Sequence, residues 1–150
     1  MNRRTIIRSA LATTILSLSV ISVPTIANAQ QSAASSAQTI LHSGVWTKKS
    51  FKASGQWEIY SANGATFIRL SSDFNTQRAP DLKIFLSPLS ASETTGRNAT
   101  KGSLLVSPLR SNSGAQAYRI PDGVDINEFK SVLIHCEAYS KLWSVADLST

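Results

Sequence analysis

Val132-Leu133-Ile134-His135-Cys136 is the stretch that decides the fold. It is a nearly continuous apolar run of strand length, with two β-branched residues. Such a run suits a strand covered on both faces, whereas a strand with one wet face alternates apolar and polar residues. Upstream, Ser131 opens it; downstream, Leu142 to Leu148 reads as a final strand.

Working back from there, the same pattern of short strands recurs. Gln116 to Ile120 and Leu104 to Leu109 are two of them. In Leu82-Lys83-Ile84-Phe85-Leu86, the residues Leu82, Ile84 and Leu86 share one face, and Pro88 ends the run. Ala62-Asn63-Gly64 is a turn signal between Gln56–Tyr60 and Thr66–Leu70, which predicts a hairpin. Val45 to Phe51 reads as the first strand. Helix is scarce: one turn from Ile126 to Lys130, with Asp125 as N-cap and Glu128 completing a capping box. Asp122, Asp125 and Glu128 lack the alternating ligands of a calcium loop. About eight short strands between Gly, Pro and Ser turns define an all-β, antiparallel sandwich or barrel.

The domain occupies residues 43–150. Before it, residues 30–42 are rich in Ser, Ala and Gln, have little to bury, and read as a flexible tether. Residues 1–29 read as a signal peptide. Arg3, Arg4 and Arg8 precede an apolar stretch from Ala10 to Val23, and Ala27-Asn28-Ala29 suits cleavage after Ala29. The apolar stretch is short for a span of about 20 residues and is diluted by serine and threonine. No later segment is long and apolar enough to cross a bilayer, so no transmembrane segment is expected after cleavage. The expected location is the periplasm or the exterior. Asn2-Arg3-Arg4-Thr5-Ile6-Ile7-Arg8 resembles a twin-arginine signal, although the general secretory route is favoured.

Cleavage leaves 121 of the 150 residues, enough to bury about two-thirds of the unfolded surface without a staple. The leader takes three of the 15 basic residues, which lowers the net charge from +6 to +3. The remaining basic residues are scattered, except for Lys48, Lys49 and Lys52. That pattern is a solvated face and argues against nucleic acid. Met1 leaves with the leader, so the mature chain has no methionine, one cysteine and two histidines.

A single cysteine in an exported chain cannot form an internal disulfide. Cys136 is therefore buried, bound, paired with another chain, or reactive. Its apolar flanks favour packing as a small hydrophobe in a central strand. A chemical role would need thiolate character and access. His135 and Cys136, as strand neighbours, point to opposite faces and cannot share an ion without a bulge. Blue copper needs two histidines, a cysteine and commonly a methionine. Four-ligand zinc needs more Cys and His than the mature chain has. No metal and no cofactor are predicted. Haem attachment through Cys-x-x-Cys-His is absent, and a non-covalent haem held by Cys136 or a histidine is the prosthetic group the residues leave open.

The chain contains no Gly-x-Ser-x-Gly elbow and no His-Glu-x-x-His, so a stand-alone enzyme is not expected. Gly96-Arg97-Asn98-Ala99-Thr100-Lys101-Gly102 has the wrong Gly/Lys order for a phosphate loop, and reads as a mobile loop. Trp46, Trp57 and Trp143 are expected in the core.

Seven motifs in order along Ser43 to Leu148 carry a family resemblance. They are Lys52-Ala53-Ser54-Gly55 leading into Trp57-Glu58-Ile59, Leu70-Ser71-Ser72-Asp73-Phe74, Pro80-Asp81-Leu82-Lys83-Ile84-Phe85-Leu86-Ser87, Gly114-Ala115-Gln116-Ala117-Tyr118, Ile120-Pro121-Asp122-Gly123-Val124-Asp125, Ser131 to Cys136, and Trp143 to Leu148. The stretch resembles the DM-thirteen family, also called the electron-transfer DM domain. The resemblance implies an extracytoplasmic β-rich domain with one characteristic cysteine near its end, a redox role for Cys136, and a redox partner protein. His135, Asp81 and Trp143 are the expected neighbours of the site. Two positions depart from the family: His135 stands where many members carry tryptophan, and Ala79 where glycine is common. The competing reading is a non-enzymatic binding module in which Cys136 is structural.

Overall fold

The computed structural model describes residues 37–148. The signal peptide, its cleavage site and most of the tether lie outside the described residues.

Eleven strands run antiparallel. In chain order they are β1 (Thr39–Val45), β2 (Thr47–Lys48), β3 (Ala53–Ser54), β4 (Gln56–Ala62), β5 (Ala65–Leu70), β6 (Asn75–Thr76), β7 (Leu82–Ser87), β8 (Leu104–Pro108), β9 (Gln116–Arg119), β10 (Ser131–Cys136) and β11 (Lys141–Asp147). Eight of them have four or more residues, as the spacing of turn signals implies. A four-stranded sheet has the order β1-β4-β5-β9, and a five-stranded sheet the order β2-β11-β10-β7-β8. The short β3 and β6 pair with each other. The two main sheets enclose one core, so the architecture is a β-sandwich.

The β4–β5 hairpin forms where Asn63-Gly64 predicts it. Both residues have positive φ, 52° and 74°, which gives the turn a twist matching that of the strands. The single helical turn also forms, as a 3-10 turn over Ile126–Glu128. Asp125 caps it by accepting from the Asn127 amide at 2.9 Å. The expected capping box does not close: the Asp125 carboxylate accepts from both the backbone and the side-chain N–H of Asn127, and Glu128 gives only its amide, to the Asp125 carbonyl.

Two expectations about the N-terminal part need revision. Val45 to Phe51 is not one strand. The chain leaves the first sheet after Val45, buries Trp46, and joins the second sheet through Thr47–Lys48. Trp46 packs against Trp57 and Phe74, at ring separations of 6.3 and 6.5 Å. Burial of that ring at the crossing outweighs the β-propensity of the run. The first strand also begins at Thr39, inside the stretch whose composition suggests a tether. Residues 39–42 are exposed or half-buried, so pairing with β4 holds them without any burial signal in the sequence.

β10 is the centre of the second sheet. It pairs with β7 on one side and β11 on the other, and all six of its residues are buried. Val132, Ile134 and Cys136 face the main core between the sheets, together with Leu82, Ile84 and Leu86 of β7. Leu133 faces outward into a second apolar cluster with Phe85, Leu142, Val145 and Ala99. That outer face is covered by a flap, residues 88–103. The flap is fastened by the Ser131 hydroxyl donating to the Leu89 carbonyl at 2.7 Å and the Ala91 amide donating to the Asp147 carboxylate at 2.6 Å. The stretch expected to be a mobile loop is thus a lid over a buried sheet face, with its Ala99 fully buried against that face.

The register of β11 against β10 shifts between Ile134 and His135, whose partners are Ser144 and Leu142. Trp143 is the extra residue of this bulge, and it points into the main core beside Ser144. Its indole donates to the Thr76 hydroxyl at 2.9 Å, and its ring stacks on Phe51 at 3.9 Å. The Ser144 hydroxyl accepts from the Ala53 amide and donates to the Phe51 carbonyl. These bonds tie β3 and β6 to the end of the sandwich.

Gly55 is required at that end. It has φ +86°, and a Cβ there would sit 2.7 Å from the Phe74 backbone. Gly64 also has positive φ, but its surroundings are open. Gly55→Ala is expected to lower the unfolding free energy by about 2 kcal/mol or more, and Gly64→Ala by about 1 kcal/mol. Urea denaturation of the pair checks whether the clash, rather than the dihedral, dominates.

Candidate functional site

Cys136 is the last residue of β10, opposite Leu82 of β7 and Lys141 of β11. Its side chain lies on the core side and has no solvent exposure. The thiol donates to the Pro80 carbonyl at 3.0 Å. Pro80 and Asp81 form the turn that leads into β7, and both are exposed. The sulfur therefore lies directly beneath an exposed turn.

Asp81 adopts φ +59°, a left-handed conformation uncommon for a residue with a side chain. The turn is held from below by backbone as well: the Glu137 amide donates to the Asp81 carbonyl at 3.2 Å. The Asp81 carboxylate does not turn toward the sulfur. It pairs with Lys83 Nζ at 3.2 Å, and Lys83 also donates to the Glu137 carboxylate. These contacts, with Glu137 the larger, hold the Lys83 ammonium above its ordinary pKa. Lys83, Glu137 and the Pro80 carbonyl are the site residues that sequence reasoning missed. Lys83 alternates with Leu82 and Ile84 and so reads only as a solvent-facing position.

Of the expected neighbours, Trp143 shares the main core with Cys136, and Asp81 belongs to the turn above it. His135 lies on the other face of the sheet. Its ring is 3% exposed and meets the edge of Phe85 at 6.2 Å and 87°. Neither ring nitrogen has a hydrogen-bond partner of good geometry. The flap covers it at Gly96, which lies so close to the β10–β11 turn that a Cβ would be 2.8 Å from the Ser140 carbonyl. Burial pushes the His135 pKa down; the Gly96 backbone and the Glu137 charge oppose that shift only in part. The sulfur of Cys136 and the imidazole of His135 thus lie on opposite faces of the sheet, and both are buried. Among the described residues, no three His, Cys, Asp or Glu side chains converge as a metal site. Trp46, Trp57 and Trp143 are core residues, whereas Tyr139 is 59% exposed.

An antiparallel β-sandwich with one cysteine, at the end of its central strand and beneath a Pro-Asp turn, is the class of domain that fold and site define. The family profile described as "Electron transfer DM13" matches residues 46–148, and the chain belongs to that family. No curated protein and no solved structure matches the chain. Among the described residues no helix is long and apolar enough to cross a membrane.

The buried imidazole generates a pH prediction. Above about pH 6.5 the folded and unfolded chains both hold it neutral. Below that, the unfolded chain takes up a proton that the folded chain refuses, so stability falls with falling pH until the folded imidazole titrates. The Gly96 backbone and the Glu137 charge reduce the penalty without removing it. Unfolding free energies measured from pH 7.5 to 5 should decline for the wild type. His135→Phe, which keeps an aromatic ring beside Phe85, should flatten that decline.

Proposed function

We propose that this chain is an exported electron-transfer module whose redox group is Cys136, working against a separate partner protein. Family membership supports the reading. So does the position of the sulfur, one hydrogen bond beneath an exposed turn; that position is the observation that carries it. Lifting the Pro80–Asp81 turn would expose the thiol without dismantling β10, which keeps its pairing to β7 and β11.

The chemistry that suits a lone thiol is exchange with a partner disulfide. The Cys136 proton leaves, its thiolate forms a new S–S bond with one partner sulfur, and the old partner S–S bond breaks. The departing partner sulfur carries away the electron pair and takes up a proton. A thiol of a second molecule then attacks the partner-derived sulfur of the mixed disulfide, forming a new S–S bond to it and releasing Cys136 as the thiolate, so electrons pass from that second thiol to the first disulfide. Export through the leader, with cleavage after Ala29 into the periplasm or exterior, would place the domain where such disulfides persist.

One observation favours a second reading, in which the domain is a binding module and Cys136 only packs. The sulfur has no exposure and its hydrogen is already donated.

The test uses the mature protein, starting at Gln30, with glutathione disulfide as the probe. The first reading expects one mixed disulfide per chain, formed under native conditions faster than global unfolding allows. Modification that proceeds only at the rate of global unfolding would overturn it. The second reading expects Cys136→Ala to cost about 1–2 kcal/mol for the cavity and lost bond while the chain keeps its partner.

A further inference from the structure

We infer that Lys83 is a positioning residue that holds the Pro80–Asp81 turn shut over Cys136, by bridging the Asp81 and Glu137 carboxylates. The inference rests on the reading of Cys136 as a group that another molecule reaches.

Three kinds of link close the turn onto the end of β10. The first is the thiol itself, donating to the Pro80 carbonyl. The second is the Glu137 amide, donating to the Asp81 carbonyl. The third is Lys83, whose ammonium touches a carboxylate on each side of the seam. Asp81 stands on the turn, and Glu137 directly follows Cys136. Lys83 sits two residues beyond Asp81, on β7, and its register partner is His135. One side chain thus spans the turn, the strand leaving it, and the residue after the sulfur.

The geometry of the turn gives such a strap something to restrain. Asp81 is held at φ +59°, a left-handed conformation that aspartate tolerates better than most residues but that is still uncommon. The two hydrogen bonds that oppose its relaxation are single and unassisted. An ion-pair cluster is a further restraint, and it is partly solvated: the Lys83 side chain is 19% exposed, and the Asp81 and Glu137 side chains are 43% and 38% exposed. Partly solvated pairs are modest in strength and weaken in salt. They can therefore hold a local opening without fixing the stability of the sandwich, whose core lies elsewhere. Lys141, across from Cys136 on β11, has no carboxylate partner among the described residues and is not part of the strap.

The measurement is the rate at which a neutral maleimide labels Cys136 in the folded mature protein at low salt, beside the urea unfolding curve of each variant. Lys83→Met should label about fivefold faster with its unfolding curve little changed. Lys83→Arg, which keeps the charge and both partners, should restore the wild-type rate. Salt at 1 M (roughly three Ångström of screening length) should speed labelling of the wild type and leave Lys83→Met unaffected. Equal rates for wild type and Lys83→Met, or rates in every variant that follow global stability alone, would refute the strap. If Lys83→Met does not fold, Glu137→Gln and the wild-type salt series decide the same question. Exchange with glutathione disulfide separates the two readings. Gated labelling with no exchange removes the redox role and keeps the strap. Exchange at the same rate in wild type and Lys83→Met removes the strap and keeps the redox role.

Discussion

The pairing of β10 on both edges, and its burial on both faces, is the constraint from which the rest follows. Every residue of that strand has a register partner in both β7 and β11, so the wholly buried segment is flanked by backbone partners on both edges. Because side chains alternate, one strand supplies two apolar layers. Val132 and Ile134 meet the opposite sheet, and Leu133 meets the flap. Each layer then demands a cover. The four-stranded sheet is one cover, and residues 88–103 are the other. Cys136 inherits the inner environment and His135 the outer one simply by being adjacent in the chain.

Most of the long strands were legible in the sequence because their burial is local and periodic. Leu82, Ile84 and Leu86 declare a face, Asn63-Gly64 declares a turn, and the run from Val132 declares a strand wet on neither side. The short strands were not legible. Thr47–Lys48 and Ala53–Ser54 are too brief for any period, and they exist because Ser144, Thr76 and Trp143 offer hydrogen-bond partners from distant parts of the chain. The flap was misjudged for a related reason. Its composition is that of a loop, and only the three-dimensional position of Ala99 over Leu133 makes it a lid.

The candidate site was half legible. Cys136 stands out as the one cysteine, and alternation correctly separates it from His135. What seals the sulfur could not be read, because the acceptor is a backbone carbonyl 56 residues away. No residue type signals a carbonyl. The role of Lys83 was hidden likewise: in a strand it is an ordinary polar position, and it becomes informative only when Asp81 and Glu137 are found on either side of it. Histidine at position 135 has a visible cost. Its ring is buried against Phe85, and its two nitrogens lack good partners there.

The back-to-back arrangement of Cys136 and His135 places a thiol and an imidazole one residue apart in two separate layers. The imidazole lies beneath the flap and the sulfur beneath the Pro80–Asp81 turn, with only the thickness of the sheet between them. Repacking on one side of that strand therefore need not disturb the other.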